Sequence, residues 1–183
     1  IQYRPTTVRA RISRSIGYLI SQGLVERRGA RFMATEFGKR ISLLYIDPAT
    51  GVMFRDHLLR AEATDRIDAG VLHLITQSPD FTPKLPLRSK DLDEAEYYIQ
   101  QHWQEFLIKP PFKRIYDPYD SFLEGFRSLL TLDAWINEWH EDKILEKYSV
   151  EPGDLYRIVE NADWLIHSLY EVAKLLNRSD LIQ

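Results

Sequence analysis

The feature that most constrains the fold is a long amphipathic helix predicted near the end of the chain, from Gly153 to Leu176. Its apolar residues recur every three or four positions, which places them on one face of a helix. Pro152 precedes it at a position that favours helix initiation. The sequence therefore predicts a helix whose apolar flank is buried, and this stripe consists of Leu155, Ile158, Val159, Ala162, Leu165, Ile166, Leu169, Val172, Ala173 and Leu176.

Trp164 lies outside this stripe. At roughly 100° per residue it points about 150° away from the centre of the stripe, whereas Arg157, one heptad earlier, differs from it by only about 20°. A core helix would normally turn such a large aromatic ring inward, because burial of the ring is favourable. Two interpretations stay open. Trp164 packs against a second domain or a neighbouring helix, or it stacks on a base while Arg157 holds a base or phosphate beside it.

Charge is unevenly distributed along the 183 residues, although the net charge is only −3. Residues 1–40 hold nine Lys or Arg against two Glu, and the remaining residues are acidic in balance. This asymmetry indicates two modules with different surfaces. The positive charge of the basic module has three possible explanations. It attracts nucleic-acid phosphates, it docks on an acidic partner domain, or it is only a solvated face. The absence of cysteine excludes disulfides and thiolate sites, and it is typical of an intracellular protein.

The basic region has the pattern of a winged helix. A helix capped at Thr6 or Thr7 is followed by two short strands around Arg28-Gly29-Ala30, and Thr35 caps a further helix from Glu36 to Leu44. Three basic residues of this hairpin, Arg27, Arg28 and Arg31, are candidates for phosphate contacts or for docking on another domain. We expect a winged-helix domain over residues 1–47, ending where Asp47-Pro48 breaks the helical pattern.

Residues 48–183 are predicted to be helical throughout. The fold class is therefore mostly α, a winged helix with a small β-hairpin followed by a bundle of six or seven helices. The predicted helices before the long last one run from Thr50 to Ala61, Ile67 to Gln77, Ser89 to Leu107, Tyr119 to Trp139 and Glu141 to Tyr148. No apolar run is long enough to span a membrane, and Trp135 is expected in the core.

Catalytic motifs are absent from the sequence. It contains no GxxxxGK[ST] phosphate loop, no GxGxxG, no HExxH and no GxSxG. Asp93-Glu94-Ala95-Glu96 resembles a helicase acidic box, but it falls inside an amphipathic helix and is read as structural. None of the five histidines has a partner at metal-ligand spacing. The chain alone is therefore expected to be non-catalytic, with no cofactor or metal of its own.

The stretch from Lys147 to Leu176, KYSVEPGDLYRIVENADWLIHSLYEVAKLL, resembles the ratchet helix of archaeal HelQ-type DNA repair helicases, superfamily 2 enzymes related to Ski-type helicases. Shorter stretches agree in the same order, among them Gly23-Leu24-Val25-Glu26, Leu44-Tyr45-Ile46-Asp47-Pro48, Leu72-His73-Leu74-Ile75 and Ala134-Trp135-Ile136-Asn137-Glu138. The resemblance implies a winged helix and a ratchet bundle without the two RecA-like motor domains. The start at Ile1 also suggests a fragment.

The resemblance implies that Arg157 and Trp164 contact single-stranded DNA during translocation and unwinding, in repair of stalled forks. Asn161 lies between them in height and within about 60° of both, and Ser168 continues the same face, so both are further candidates. ATP and Mg²⁺ would belong to the missing motor domains. The expected partners are single-stranded or forked DNA and those motor domains. We expect an intracellular, cytoplasmic and nucleoid-associated protein.

Two alternatives remain from the sequence. A stand-alone winged-helix regulator with a helical dimerisation or ligand domain would bind duplex DNA with sequence preference. A protein-docking scaffold would not contact DNA at all. The choice between DNA and RNA also stays open, because no residue pattern reads a 2′-hydroxyl.

Overall fold

The computed structural model describes residues 5–62, 67–111 and 116–181. These ranges are mostly helical, as predicted, and contain two strands, β1 (Val25–Arg28) and β2 (Arg31–Ala34). The helices are α1 (Pro5–Ser21), α2 (Glu36–Leu44), α3 (Pro48–Arg60), α4 (Asp68–Gln77), α5 (Leu92–Gln101), α6 (Tyr116–Leu123), α7 (Phe126–Ile136), α8 (Glu141–Tyr148) and α9 (Pro152–Leu175). Single 3₁₀ turns occur at Ser89–Asp91 and Ser179–Leu181.

The β-hairpin is built as the sequence predicts. β1 and β2 pair antiparallel, with Val25 opposite Ala34 and Arg28 opposite Arg31. Gly29 adopts a φ of +63° in the connecting turn, a conformation that glycine reaches without steric cost. Thr35 then caps α2, because its hydroxyl oxygen accepts from the Gly38 backbone N–H at 3.0 Å. Helix α1 runs from Pro5 to Ser21, so the predicted cap position at Thr6 or Thr7 lies inside the helix.

A tight connection joins α2 to α3. Tyr45 ends α2 in a left-handed conformation, with φ 59° and ψ 23°. Asp47 caps α3 by accepting from the Ala49 N–H at 2.7 Å, and Pro48 occupies the first turn. The predicted break at Asp47-Pro48 is therefore present, although α2 also packs against α3 and α9. The domain boundary at residue 47 stays a prediction.

Helix α9 lies among α2, α3, α4 and α7 and contributes to a continuous core. Its predicted stripe is confirmed at most positions, with Leu155, Ile158, Ala162 and Leu165 almost fully buried. Ile166 is the exception, since it is 38 % exposed at the edge of the stripe. The described residues after 47 form seven helices, which confirms the predicted fold class.

Three local expectations were wrong. The predicted helix from Tyr119 to Trp139 is divided at Gly125, which has a φ of 73°. A Cβ at Gly125 would lie 2.8 Å from the Thr76 carbonyl oxygen, so the glycine allows a close approach to α4. The helix predicted to reach Leu107 ends at Gln101. Trp135, expected in the core, is 42 % exposed near the end of α7.

Candidate nucleic-acid interface

Arg157 is the one exposed residue among the four predicted site residues of α9. It projects from the second turn of α9 and is exposed. Its guanidinium makes no hydrogen bond or ion pair with any side chain or backbone group within the described ranges, which distinguishes it from Arg40 and Arg178. Five N–H donors therefore remain for a phosphate or a base.

Trp164 is partly buried and packs against the edge of the hydrophobic core. Its indole Nε1–H donates to the Leu44 carbonyl oxygen at the end of α2, at 3.1 Å. Packing on a neighbouring helix, one of the two interpretations of this residue, is thus part of its role. The ring is not sealed, however, and the hydrogen bond fixes its orientation. The indole therefore has one part that anchors α9 to α2 and another part that remains accessible to solvent or a ligand.

Asn161 connects α9 to the segment that follows α4. Its Nδ2 donates to the carbonyl oxygens of Thr82, at 3.0 Å, and Asp80, at 3.3 Å. Its Oδ1 is buried and has no hydrogen-bond partner in the described chain. The amide group that was expected to reach a ligand is therefore engaged in holding this loop against α9.

Ser168 does not continue an open face. It is fully buried, and its hydroxyl donates to the Trp164 carbonyl oxygen one turn earlier, at 2.9 Å. The helical wheel placed it on the flank of Arg157 and Trp164, but the structure buries it, so its hydroxyl is not available to a ligand there. Arg40 of α2 and Glu171 of α9 form an ion pair with an N–O distance of 2.5 Å, which links α2 to the same flank of α9.

Backbone carbonyl groups from two segments meet α9 at one place, which we name the α2–α9 corner and define by Leu44, Asp80, Asn161 and Trp164. Asp80 adds a further link, because its Oδ2 accepts from the Asp47 N–H at 2.7 Å. The corner joins the end of α2, the start of α3 and the loop after α4 to one face of α9. It thereby fixes the position of the indole relative to three elements.

Acidic side chains border the candidate face. Glu160 and Asp163 are exposed on α9 between Arg157 and Trp164. Further along, the hydrogen bond from Lys174 holds the pKa of Glu171 below its usual range, with Arg40 among the contributing charges. Glu171 therefore stays ionised at neutral pH. Among the described residues of this face, a ligand would meet the Arg157 guanidinium, the Trp164 indole and several carboxylates, which favours contacts to bases over contacts to a series of phosphates.

The hairpin arginines form a separate, exposed group. The Arg27 Nε–H donates to the Gly29 carbonyl oxygen at 3.0 Å, and Arg28 pairs with Glu26 at 2.7 Å. Arg31 is exposed on β2. Among the residues that the structure describes, no hydrogen bond or ion pair connects these arginines to α9. The structure thus divides the predicted site into a hairpin group and an α9 group.

Within the same described ranges, no group of three or more His, Asp or Glu residues could hold a metal ion. No helix there is both long and apolar enough to cross a bilayer.

Comparison with known proteins places the chain in a family. The model of the family described as "Archaeal helicase, domain 4" matches residues 69–183. Because this match covers more than half of the chain, the chain belongs to this family of archaeal helicase domains. The predicted resemblance to archaeal helicases is confirmed at this level, and the HelQ-type assignment stays a prediction.

Individual relatives extend the similarity over nearly the whole chain. It is 40% identical over 178 residues to "ATP-dependent DNA helicase Hel308" of Pyrococcus horikoshii, covering 96% of the chain and 24% of that protein. It is 37% identical over 177 residues to the protein of the same name from Pyrococcus abyssi, with the same coverage of 96% and 24%. The Caldivirga maquilingensis protein of that name is 34% identical over 177 residues, covering 94% and 23%. The chain thus spans about a quarter of the length of these curated relatives.

Sequence reasoning missed the partners of the site residues. The Leu44, Asp80 and Thr82 groups at the corner are backbone carbonyls, which leave no side-chain signature. It also passed over Tyr45, an aromatic residue between a helix end and Asp47-Pro48 that is 87 % exposed. The sequence alone could have indicated this residue, because an isolated aromatic residue stands out at a break between two helices.

Proposed function

We propose that this chain is the DNA-binding, non-catalytic portion of an ATP-dependent DNA helicase of the HelQ type. It would grip single-stranded DNA through α9, acting as a ratchet helix during translocation and unwinding in the repair of stalled forks. Membership of the archaeal helicase family supports this proposal, as do relatives that carry the name DNA helicase.

The observation that carries the proposal is the placement of Arg157 and Trp164 on one rigid helix. Seven residues of α-helix rise about 10 Å, which is about three stacked bases at roughly 3.4 Å each. Arg157 is exposed, and the partly exposed indole of Trp164 is oriented by the Leu44 carbonyl. Two contacts at fixed spacing would hold a strand at two levels.

The chemistry of these groups suits a translocating enzyme. Base stacking on an aromatic ring contributes about 1–3 kcal/mol per base and tolerates any sequence. The neighbouring Glu160 and Asp163 repel phosphates, so the strand would present its bases to α9 and its backbone elsewhere. Asn161 and Ser168 would position Trp164 and the adjoining loop instead of touching DNA.

ATP turnover is assigned to other parts of the parent helicase. The sequence has no phosphate-binding loop, so ATP and Mg²⁺ would be bound by RecA-like motor domains. The winged helix would connect those domains to the bundle, and its arginines would contact the duplex part of a fork. Such a protein would act inside the cell, at the nucleoid. The chain alone is expected to bind single strands weakly and to hydrolyse no ATP.

Fluorescence anisotropy with labelled oligothymidine tests the proposal. Arg157→Ala and Trp164→Ala are each expected to weaken binding about tenfold, the loss that stacking energies imply. Trp164→Phe keeps a ring but loses the indole N–H, so it should bind more tightly than Trp164→Ala. Lys90→Ala removes an exposed positive charge far along the chain from α9 and serves as the charge control.

Arg157→Ala is the decisive variant, because the Arg157 side chain is exposed and makes no hydrogen bond or ion pair with the described residues. If its affinity equals that of the unmodified chain, and Trp164→Ala only lowers the melting temperature, α9 has a packing role alone. A sequence-dependent preference for duplex over single strand would instead favour the stand-alone regulator.

A further inference from the structure

Tyr45 is the most exposed large hydrophobic side chain in the described parts of the chain, at 87 %. Its neighbours on both sides are anchored. The Leu44 carbonyl accepts from the Trp164 indole, and Ile46 is only 5 % exposed. An aromatic ring is thus held outside the core between two fixed residues.

The backbone at Tyr45 is fixed as well as strained. Its φ of 59° lies in the left-handed region, which non-glycine residues adopt at an energetic cost. Its N–H donates to the Ser42 carbonyl oxygen at 3.3 Å, and the next residue but one, Asp47, is tied to Asp80. These contacts hold the backbone from which the ring projects, so a strand that binds there would order only the side chain.

Tyr45 adjoins the α2–α9 corner, because it follows Leu44 in the chain. Consecutive Cα atoms are about 3.8 Å apart, so Tyr45 begins one residue from the atom that Trp164 contacts. A strand of nucleic acid that reached the indole would therefore pass close to the backbone from which the Tyr45 side chain projects.

From this juxtaposition we infer that Tyr45 is a second stacking residue for single-stranded DNA, next to Trp164. The inference rests on the proposed function of α9 and adds a binding residue from a different element. A strand at the corner would meet the indole on α9 and the phenol ring at the end of α2. A partner protein domain could also cover Tyr45, and the test separates that outcome.

Glycine provides a substitution that removes the ring without disturbing the fold. Gly adopts the left-handed conformation freely, so Tyr45→Gly should keep or raise the melting temperature. Its affinity for oligothymidine should fall about tenfold, and Tyr45→Phe, which keeps the stacking surface, should bind like the unmodified chain. Tyr97→Ala removes a tyrosine that is 64 % exposed on α5 and should leave affinity unchanged.

Photocrosslinking gives a direct readout at the same residue. Oligothymidine carrying 5-iodouracil, irradiated in complex with the chain, should form an adduct on the peptide that contains Tyr45, identified by mass spectrometry. This adduct should be lost in Tyr45→Gly and retained in Tyr97→Ala.

The outcomes separate the two proposals. Unchanged affinity of Tyr45→Gly, together with weakened binding by Arg157→Ala, overturns the inference and leaves the function of α9 standing; Tyr45 would then contact another protein domain. A chain that does not bind oligothymidine at all overturns the proposed function, and the inference with it.

Discussion

Trp164 has a structural role in the chain and, under the proposed function, would have a role in recognition as well. Its indole N–H is fixed to the Leu44 carbonyl, and its ring is only partly buried. A freely rotating indole would lose side-chain entropy on stacking with a base, whereas this one is already oriented. Under the proposed function, the hydrogen bond to the Leu44 carbonyl would therefore orient the ring for a base as well as pack α9 against α2.

His73 is a buried histidine that the proposed function does not use. It lies against the rings of Phe106, Phe122 and Phe126. Its Nε2–H donates to the Phe122 carbonyl oxygen at 2.9 Å, and Nδ1 has no hydrogen-bond partner in the described chain. Burial lowers the pKa of His73 from 6.5 to about 4, although the hydrogen bond to Phe122 acts in the opposite direction.

This lowered pKa makes stability depend on pH. Between about pH 6.5 and about pH 4 the unfolded chain binds a proton that the folded chain excludes, so the free energy of unfolding falls as the pH falls. The loss reaches about 3 kcal/mol at the acidic end. Urea unfolding at about pH 7 and about pH 5 should show a smaller difference for His73→Phe than for the unmodified chain. Equal differences would contradict the assignment.

At the scale of elements, glycines determine how closely helices and turns approach. Gly125 separates α6 from α7, and Gly38 lets α2 contact the segment before β1. A Cβ at Gly38 would lie 1.9 Å from the Leu24 carbonyl oxygen, a distance that no real contact allows. The Leu24 side chain is itself buried, at 2 % exposure, so it has little room to move.

Gly38→Ala should therefore destabilise the chain by about 1–3 kcal/mol, the usual cost of overpacking. Gly17→Ala is the matched control, because Gly17 is exposed in α1 and a Cβ there would meet nothing within 4 Å. That variant should gain about 0.5–1 kcal/mol from helix propensity. Thermal unfolding measures both, and equal melting temperatures for the two variants would refute the close approach.

At the scale of the whole molecule, charge is divided between a basic front, residues 1–40, and an acidic remainder. The hairpin carries exposed Arg27, Arg28 and Arg31, whereas α9 presents Arg157 among carboxylates. The first surface suits phosphates and the second suits bases. Under the proposed function, the hairpin would contact the duplex part of a forked substrate, and α9 would contact its single strand.

Salt dependence tests this division. Replacing Arg27, Arg28 and Arg31 together with Ala should reduce the slope of log affinity against log salt by roughly 2–3 on forked DNA, because each lost contact with a duplex phosphate reduces it by about 0.9. Arg157→Ala should reduce it by at most about 0.7, the value for single strands. An unchanged slope in the triple variant would mean that the hairpin docks on protein.

Hydrophobic periodicity, together with residues that begin or end helices and form turns, made much of the fold predictable. The α9 stripe, the Thr35 cap, the hairpin around Gly29 and the break at Asp47-Pro48 are all local patterns, in which neighbouring residues determine the conformation. Arg157 and Trp164 were found in the same way, since helical geometry alone separates them from the apolar stripe.

Only the tertiary structure decided which parts of the α9 flank that carries Arg157 and Trp164 are open. Ser168 is buried where α9 packs against its neighbouring helices, and Asn161 is engaged because the loop after α4 reaches it. Gly125 divides a predicted helix because α4 comes close, and Trp135 is exposed although its helix is apolar. Local sequence sets the azimuth of a side chain on its own helix, whereas burial depends on residues far away in the chain that no periodic pattern encodes.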